Sequence, residues 1–287
     1  MRASDLEKYH ASEKEKARTE DLLHLLPTGR RSVLDIGARD GYFSRLLTQH
    51  FAEVTALDLQ KPPFEIARVV TIAGDATRLD FADDSFDCVF CTEVLEHIRD
   101  VQKACSEIVR VAKYEIIIGV PFKQDIRSGR TTCCSCGKIN PPWGHVNSFD
   151  EDRLSALFSG LGVISKSFVG TTKDATNPLS TFLMDRAGNP WGSYKQAEPC
   201  IHCGAKLIQL ESTRIWQKTC AAIAARIDRV QARWVRPHAN WIHIVFRKYY
   251  RMNYNEPEAE RCLRGLSEGT HRERAKRDLL SRRGRHN

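Results

Sequence analysis

The sequence lacks long apolar runs, and no stretch of it approaches the ~20 consecutive apolar residues that a helix needs to span a bilayer. Its first residues, Met1-Arg-Ala-Ser-Asp-Leu-Glu-Lys8, are charged and lack the apolar core of a secretory signal. With 287 residues, 41% of them hydrophobic, the chain is nevertheless able to bury a full core. We therefore expect a globular, cytoplasmic protein without a membrane partner, built as one domain or as one domain with additions.

The complete Gly-x-Gly-x-x-Gly fingerprint of a dinucleotide site is also missing, although a related turn is present. Residues 33–36 form a short, mostly apolar run typical of a strand buried on both faces. Gly37 and Gly41 then bracket a turn, and residues 42–47 repeat apolar side chains at helical spacing. Asp35 would repel a diphosphate from this turn, but a carboxylate there suits a ligand that carries positive charge.

The segment Leu34-Asp-Ile-Gly-Ala-Arg-Asp-Gly41 resembles the first motif of class I S-adenosylmethionine-dependent methyltransferases, of the type 11-like group. In that family the glycine loop approaches the amino acid end of the cofactor. The family usually has a glycine where this chain has Arg39, and we expect the larger side chain to narrow the mouth of the pocket. The resemblance implies four cofactor-binding residues in this segment, namely Asp35, Gly37, Ala38 and Gly41.

Two further acids follow predicted strands. Residues 53–58 are predicted as the second strand, and an acid at the offset of Asp58 from the glycine loop accepts hydrogen bonds from ribose hydroxyls. Residues 69–73 are predicted as the third strand, followed by Gly-Asp75-Ala76. The resemblance implies that Asp75 accepts a hydrogen bond from the adenine amine and that the backbone of Ala76 contacts the ring. The alternative is that Asp75 is a plain turn residue.

The segment from Phe81 to Ile98 resembles the fourth-strand motif of the same family, with Ser-Phe-Asp entering the strand and Glu-Val-Leu-Glu-His-Ile leaving it. Thr92 and Glu93 lie at the carboxyl end of this strand, where open α/β sheets bind ligands, so we predict that both bind cofactor. In the family, the residue at His97 more often supports the loop than catalyses. His145 is the best-placed candidate for a catalytic base, and a structural role for it is the alternative.

The remaining pattern completes a seven-stranded α/β protein. Further strands are predicted at 114–121, 163–171 and 240–248, and helices at 4–26, 101–112, 151–158 and 213–234. The resemblance implies a Rossmann-like sheet of order 3-2-1-4-5-7-6, with the last strand antiparallel and helices on both faces. We expect an N-terminal helical cover (1–29), a methyltransferase domain (30–171 plus 239–250), an insertion with a zinc knuckle and a helix (172–238), and a basic, disordered tail (251–287).

Ten cysteines favour metal or thiol chemistry over disulfides in a cytosolic chain. The motif Cys-x-x-Cys-Gly occurs twice, and two such pairs predict a zinc-ribbon-like structural site of four thiolates. We expect this zinc to hold the insertion over the substrate mouth as a lid, with the ligands Cys133, Cys136, Cys200 and Cys203. Cys134 in place of Cys133, unpaired thiols and a redox pair are the alternatives. The cysteines expected to be ordinary buried residues are Cys88, Cys91, Cys105 and Cys220.

The leading prediction is a methyltransferase that uses S-adenosylmethionine to methylate an O, N or C nucleophile of an acceptor that we expect to be a small molecule. RNA methylation is an alternative that depends only on the tail, where seven Arg or Lys against two acids give +5 between Thr270 and Asn287. The sequence contains no aromatic-basic RNA module, so a nucleic acid partner is less favoured. The second alternative is a non-catalytic scaffold that binds cofactor and zinc.

Overall fold

The computed structural model describes residues 9–173, 176–209 and 214–248, and these ranges contain nine strands and six α-helices. The strands are β1 (Ser32–Ile36), β2 (Glu53–Asp58), β3 (Val69–Ala73), β4 (Phe86–Thr92), β5 (Ala112–Pro121), β6 (Thr131–Thr132), β7 (Ile139–Asn140), β8 (Gly162–Val169) and β9 (Trp241–Arg247). The helices are α1 (Glu13–His24), α2 (Tyr42–Leu47), α3 (Val101–Val111), α4 (Glu151–Leu157), α5 (Pro178–Arg186) and α6 (Ile215–Gln231). The predicted tail lies outside the described residues. None of the helices in these ranges has the length and hydropathy needed to cross a membrane.

Seven strands form one mixed sheet in the order β3-β2-β1-β4-β5-β9-β8. The first five of these are parallel, and β9 runs antiparallel to both β5 and β8. The strands β6 and β7 form a separate hairpin. The predicted α/β sheet is therefore present. The strands predicted as the sixth and seventh are numbered β8 and β9, because the hairpin of β6 and β7 precedes them in the chain.

The central strands are apolar on both faces, and successive residues of β1 serve two separate cores. Leu34 belongs to a cluster that includes Ile108 of α3 and Leu154 of α4. Val33 belongs to the cluster on the other face, with Leu22 of α1. The helices therefore cover both faces of the sheet, and the carboxyl edge of the parallel strands is left for the connecting loops.

The N-terminal cover differs from its prediction as a single helix over 4–26. The hydroxyl of Ser12 accepts a hydrogen bond from the Glu15 amide, so a new helix, α1, begins after this cap. Residues 1–8 lie outside the described residues. Nδ1 of the buried His243 on β9 lies 2.6 Å from Oδ2 of Asp21 on α1, which fastens α1 to the sheet.

The insertion between β8 and β9 has its two ends joined. The Thr172 amide donates to the His238 carbonyl at 2.8 Å, and the His238 amide donates back at 3.0 Å. Helices α5 and α6 lie between these ends and pack on each other. The predicted helix at 213–234 corresponds to α6, whereas α5 was not predicted. Its start is fixed by Asn177, which accepts a hydrogen bond of 3.0 Å from the Ser180 amide, and by Pro178 in the first turn.

Candidate functional site

The turn after β1 needs backbone conformations that favour glycine. Gly37 has φ 81° and Gly41 has φ 79°. A Cβ added at Gly37 would lie 2.2 Å from Cγ2 of Val94, and one added at Gly41 would lie 2.7 Å from the ring of Phe64. The amide of Gly37 donates to the Leu57 carbonyl at 2.8 Å. The loop is thus held tightly between β1 and α2, as the motif predicts.

Arg39 stands in this loop with φ 47°, a left-handed conformation that explains why glycine suits the position. Its amide donates to Oδ2 of Asp58 at 3.0 Å, and the Leu59 amide donates to Oδ1 at 2.7 Å. The acid predicted to bind ribose therefore lies beside the predicted cofactor loop.

Asp35 is buried directly beneath the loop, with 3% of its surface exposed. Burial raises the pKa of its carboxyl to about 7, the charges of Asp58 and Asp40 add to the rise, and a hydrogen bond from Ser44 at 2.6 Å opposes it. A cation placed beside Asp35 would favour its ionised form. This residue is therefore the part of the loop best suited to a positively charged ligand.

His10, in the N-terminal cover, contacts this loop. Nε2 of His10 lies 3.0 Å from Oδ2 of Asp40, and the His10 ring stacks on Tyr42 with a centroid distance of 3.8 Å. The cover therefore contacts the glycine loop.

Asp75 forms a turn after β3. Its Oδ1 accepts hydrogen bonds from the amide and the hydroxyl of Thr77 at 2.8 and 2.9 Å. This is the turn role that was the alternative for Asp75. Ala76 is buried beside it. Their contacts with adenine remain a prediction.

The carboxyl end of β4 carries a strained acid. Thr92 is buried, and the next residue, Glu93, has φ 57°, which is uncommon for a residue with a side chain. Burial raises the pKa of the Glu93 carboxyl, and Arg18 of the cover, 3.9 Å away, partly offsets the rise. The Arg18 guanidinium also lies over the Trp241 ring of β9, with 5.9 Å between the guanidinium carbon and the ring centroid. Glu93 therefore lies where the cover, β4 and β9 meet.

The sequence analysis did not identify the next acid along the chain, Glu96, as a site residue. Glu96 is fully buried, and neither of its carboxylate oxygens has a hydrogen-bond partner in the part of the chain that the structure describes. Glu96, His97 and His145 bring three potential ligand atoms within 4.8 Å of one another. The available signal was the clustering of Glu93, Glu96 and His97 just beyond a strand that ends at the ligand edge of the sheet.

His145, the predicted base, is buried, and its Nδ1 lies 2.6 Å from Oε1 of Gln124. An amide oxygen only accepts, so Nδ1 carries the proton and Nε2 keeps its lone pair. Burial lowers the pKa of His145 to about 3, and the neighbouring His97 adds to this effect. The imidazole is thus neutral at physiological pH.

The four predicted zinc ligands lie together. Two Sγ···Sγ pairs, Cys133 with Cys203 and Cys136 with Cys200, are each 3.7 Å apart, and all four sulfurs lie within 4.8 Å of one another. A tetrahedral zinc with Zn–S bonds of about 2.3 Å requires sulfur separations of about 3.8 Å, so the geometry fits. Cys134 is exposed and is not part of this group.

The two cysteine turns repeat one backbone pattern. Gly137 donates to the Cys133 carbonyl and Gly204 to the Cys200 carbonyl, each at 2.9 Å. Burial raises the pKa of Cys200, but the amides of His202 and Cys203 outweigh it and lower the value to about 6. Of the cysteines predicted to be plain buried residues, the prediction is wrong for Cys220, which is only half-buried on α6, and is confirmed for Cys88, Cys91 and Cys105.

Part of the chain that forms this site matches a known protein family. Residues 34–116 match the family model described as a methyltransferase domain. Residues 34–116 are therefore similar to that family. This segment includes the glycine loop, Asp58, Asp75 and the end of β4.

Known methyltransferases are similar to part of this chain. The uncharacterized methyltransferase YcgJ of Bacillus subtilis is 32% identical over an alignment of 120 residues that covers 37% of this chain and 47% of that protein. The ubiquinone biosynthesis O-methyltransferase of Albidiferax ferrireducens is 29% identical over an alignment of 107 residues that covers 32% of this chain and 42% of that protein. The chain thus spans less than half the length of these curated relatives.

A solved structure from Bacillus halodurans, named as a methyltransferase, superposes with a TM-score of 0.51 at 14% identity. The superposition covers 80% of this chain and 97% of the other. At this identity the similarity shows a shared fold.

Part of the insertion lies on the loops of the methyltransferase domain. The Trp143 amide donates to Oε1 of Gln196 at 2.6 Å, and Nη2 of Arg99 donates to the Ile201 carbonyl at 3.2 Å. Trp143 belongs to the loop after β5 and Arg99 to the loop after β4. The second cysteine turn therefore sits above the carboxyl edge of the sheet, where a lid is expected.

Proposed function

We propose that the chain is an S-adenosylmethionine-dependent methyltransferase acting on an O, N or C nucleophile of a small-molecule acceptor. The observation that carries the proposal is the joining of the glycine loop to the acid at the end of β2, with 3.0 Å between the Arg39 amide and Oδ2 of Asp58. Both residues lie inside the segment that matches the methyltransferase family model.

In this proposal the cofactor supplies a methyl group on a positively charged sulfur, which is already activated for attack. Asp58 accepts hydrogen bonds from the ribose, and Asp75 and Ala76 hold the adenine. Asp35, Gly37, Ala38 and Gly41 form the site for the charged amino acid end, with Thr92 and Glu93 completing the wall. The main contribution of the protein is alignment of the acceptor with the methyl group, and alignment is worth up to about 7–11 kcal/mol.

The proposed role of His145 as the base needs refinement. A general base works best when its pKa is near the operating pH, and burial lowers the pKa of His145 to about 3. Nε2 of His145 is therefore suited to accept a hydrogen bond or to donate its lone pair, and is a weak acceptor of a full proton.

We also propose that Cys133, Cys136, Cys200 and Cys203 hold a structural Zn²⁺. Four thiolates give a closed shell, so this ion would fasten the insertion without taking part in the reaction. The division into a cover, a methyltransferase domain, an insertion and a tail stands as part of the same proposal. The contacts of Gln196 and Ile201 with the loops after β4 and β5 support the lid role.

The test is a turnover assay that measures S-adenosylhomocysteine, with a metabolite library and total RNA as parallel acceptors. Turnover with a small molecule by the full chain, and by a chain that ends at residue 269, supports the proposal. Methylation of RNA alone, lost on deletion of Thr270–Asn287, would establish the RNA alternative. Cofactor binding by calorimetry without turnover on any acceptor would instead indicate a scaffold.

A further inference from the structure

The carboxyl group of Glu96 lies in the protein interior, where carboxyl groups are rarely found. It is 0% exposed, and both of its oxygens lack hydrogen bonds within the described residues. Burying such a group without a partner is costly, and buried acids are normally hydrogen-bonded, paired with a cation or bound to a metal. The Arg18 guanidinium near this region already makes an ion pair with Glu15. No cation within the described residues pairs with Glu96, so its carboxylate is open to a bound cation.

Two imidazoles stand beside this carboxylate. The rings of His97 and His145 meet edge to face with centroids 4.7 Å apart, and one ligand atom from each lies within 4.8 Å of the Glu96 carboxylate. Nδ1 of His145 donates to Oε1 of Gln124, 2.6 Å away. The His145 ring is thus oriented through one nitrogen, which is how metal-binding histidines are held by their neighbours.

The loops that carry these residues are tied together in advance. The Glu96 carbonyl accepts hydrogen bonds from the amides of Val146 and Asn147, at 2.8 and 3.1 Å. The side-chain amide of Asn147 donates in turn to the carbonyls of Leu95 and Ile98, at 3.1 and 2.6 Å. These bonds fix residue 145 against residues 95–98, so the three donor groups do not have to be assembled by a ligand.

We propose that Glu96, His97 and His145 bind a divalent cation, at a site separate from the four cysteines. Two imidazole nitrogens and one carboxylate oxygen suit borderline ions such as Co²⁺ or Zn²⁺, and the harder Mn²⁺ through the carboxylate and water, better than Ca²⁺ or the soft Cu⁺. Three protein ligands leave at least one coordination position open, which is the pattern of catalytic metal sites.

The site would act on an oxygen acceptor. A divalent ion would lower the pKa of an acceptor hydroxyl bound to it, so that the hydroxyl proton would pass to solvent water and leave the oxygen free to attack the methyl carbon. This consequence depends on the proposed methyltransferase function, whereas the metal site does not.

The experiment titrates the full chain, with its cysteine site loaded with zinc, with Mn²⁺ and measures free Mn²⁺ by electron paramagnetic resonance. Cofactor and acceptor are both left out, so this result does not depend on turnover. The wild-type chain is expected to bind about one Mn²⁺ tightly, because three donors converge on one point. Glu96→Gln should weaken this binding by more than ~100-fold, and Gln124→Ala by ~10–100-fold, since Gln124 only orients His145.

Two matched variants separate the site from general effects. Glu151→Gln makes the same chemical change at a half-buried acid on α4, and Cys134→Ser changes an exposed thiol outside the sulfur cluster, so both should bind Mn²⁺ as the wild type does. If Glu96→Gln fails to fold, His97→Gln decides the question, because the His97 side chain is exposed. A wild-type chain without a tight Mn²⁺ site, or unchanged binding in the folded Glu96 or His97 variant, would overturn the proposal.

Discussion

The amide of Arg39 donates a hydrogen bond of 3.0 Å to Oδ2 of Asp58, and this bond connects the glycine loop to the end of β2. A second amide, that of Leu59, occupies one site on Oδ1. A carboxylate offers about four acceptor sites, so two stay available for a pair of ribose hydroxyls. Asp58 can therefore keep its hydrogen bond to the glycine loop while it binds the ribose.

Asp58→Ala should weaken the binding of S-adenosylmethionine by ~10–150-fold, because removing hydrogen bonds to a charged acceptor costs about 1.5–3 kcal/mol. Calorimetric titration measures the change, with circular dichroism as the check on folding. Glu53→Ala, at the exposed start of β2, is the matched control and should bind as the wild type does. Equal affinity in the two variants would remove Asp58 from the cofactor site.

Arg39→Gly should stabilise the protein. A left-handed conformation costs a residue with a Cβ about 1–2 kcal/mol, and the greater chain entropy of glycine offsets about 0.5–1 kcal/mol of this gain. We expect a net rise in the free energy of unfolding of about 0.5–1 kcal/mol, read from urea denaturation. Arg39→Ala keeps the Cβ and should show no such gain. If both variants are stabilised equally, the side chain rather than the backbone is the cause.

Cys200→Ser should reduce zinc from about one ion per chain to near zero, since a tetrahedral site needs all four thiolates. Elemental analysis measures the metal, and cofactor binding should persist because the first four strands carry that site. Cys134→Ser is the matched control and should retain zinc, since Cys134 is exposed and outside the sulfur cluster. Full zinc content in both Cys200→Ser and Cys203→Ser would show that the second pair does not bind metal.

Asp125 should make stability depend on pH at the acid end. Burial opposes its ionisation, but Arg127 at 2.8 Å and the hydrogen bonds from Thr176 prevail and lower the pKa of Asp125 to about 2. Because this pKa lies below the ordinary value of 3.8, the folded state resists protonation. The stabilisation, on the order of 2 kcal/mol, is complete above about pH 4 and is lost as the pH falls towards about 2.

Asp125→Asn should remove this acid-dependent difference, measured as the free energy of unfolding at a series of pH values. Asp152→Asn, at an exposed position in the first turn of α4, should leave the pH profile unchanged. A profile for Asp125→Asn that is parallel to that of the wild type between about pH 4 and pH 2 would show that Asp125 does not carry the effect.

The parts of the fold that were predictable are those specified by local pattern. The bounds of β2 and β3 were predicted residue for residue, because apolar runs there end at an acid or at a glycine. The cysteine pairs were found from their spacing alone. The break at Ser12 and the start of α5 at Asn177 were missed, although both carry cap residues, since periodicity was given more weight than capping.

The cluster of Glu96, His97 and His145 is not specified by local pattern. Residues 145–147 fold back onto the loop after β4 through the Glu96 carbonyl, and the buried Glu96 carboxylate has no hydrogen-bond partner among the described residues. The pairing joins parts of the chain that are distant in sequence, so no local pattern announces it. The strained backbone at Arg39 was signalled more directly, by the absence of the glycine that the family places there.

The paired ends of the insertion, Thr172 and His238, have a consequence for how this protein can vary. The sheet meets the whole insertion at one β-bridge, as it would meet a two-residue hairpin turn. Lengthening a flexible connection between fixed ends costs only about 0.6 kcal/mol for each doubling, so the distance along the chain scarcely burdens β8 and β9. Because the bridge fixes both ends of the insertion, helices of other lengths or sequences can lie between these ends without altering the register of β8 and β9.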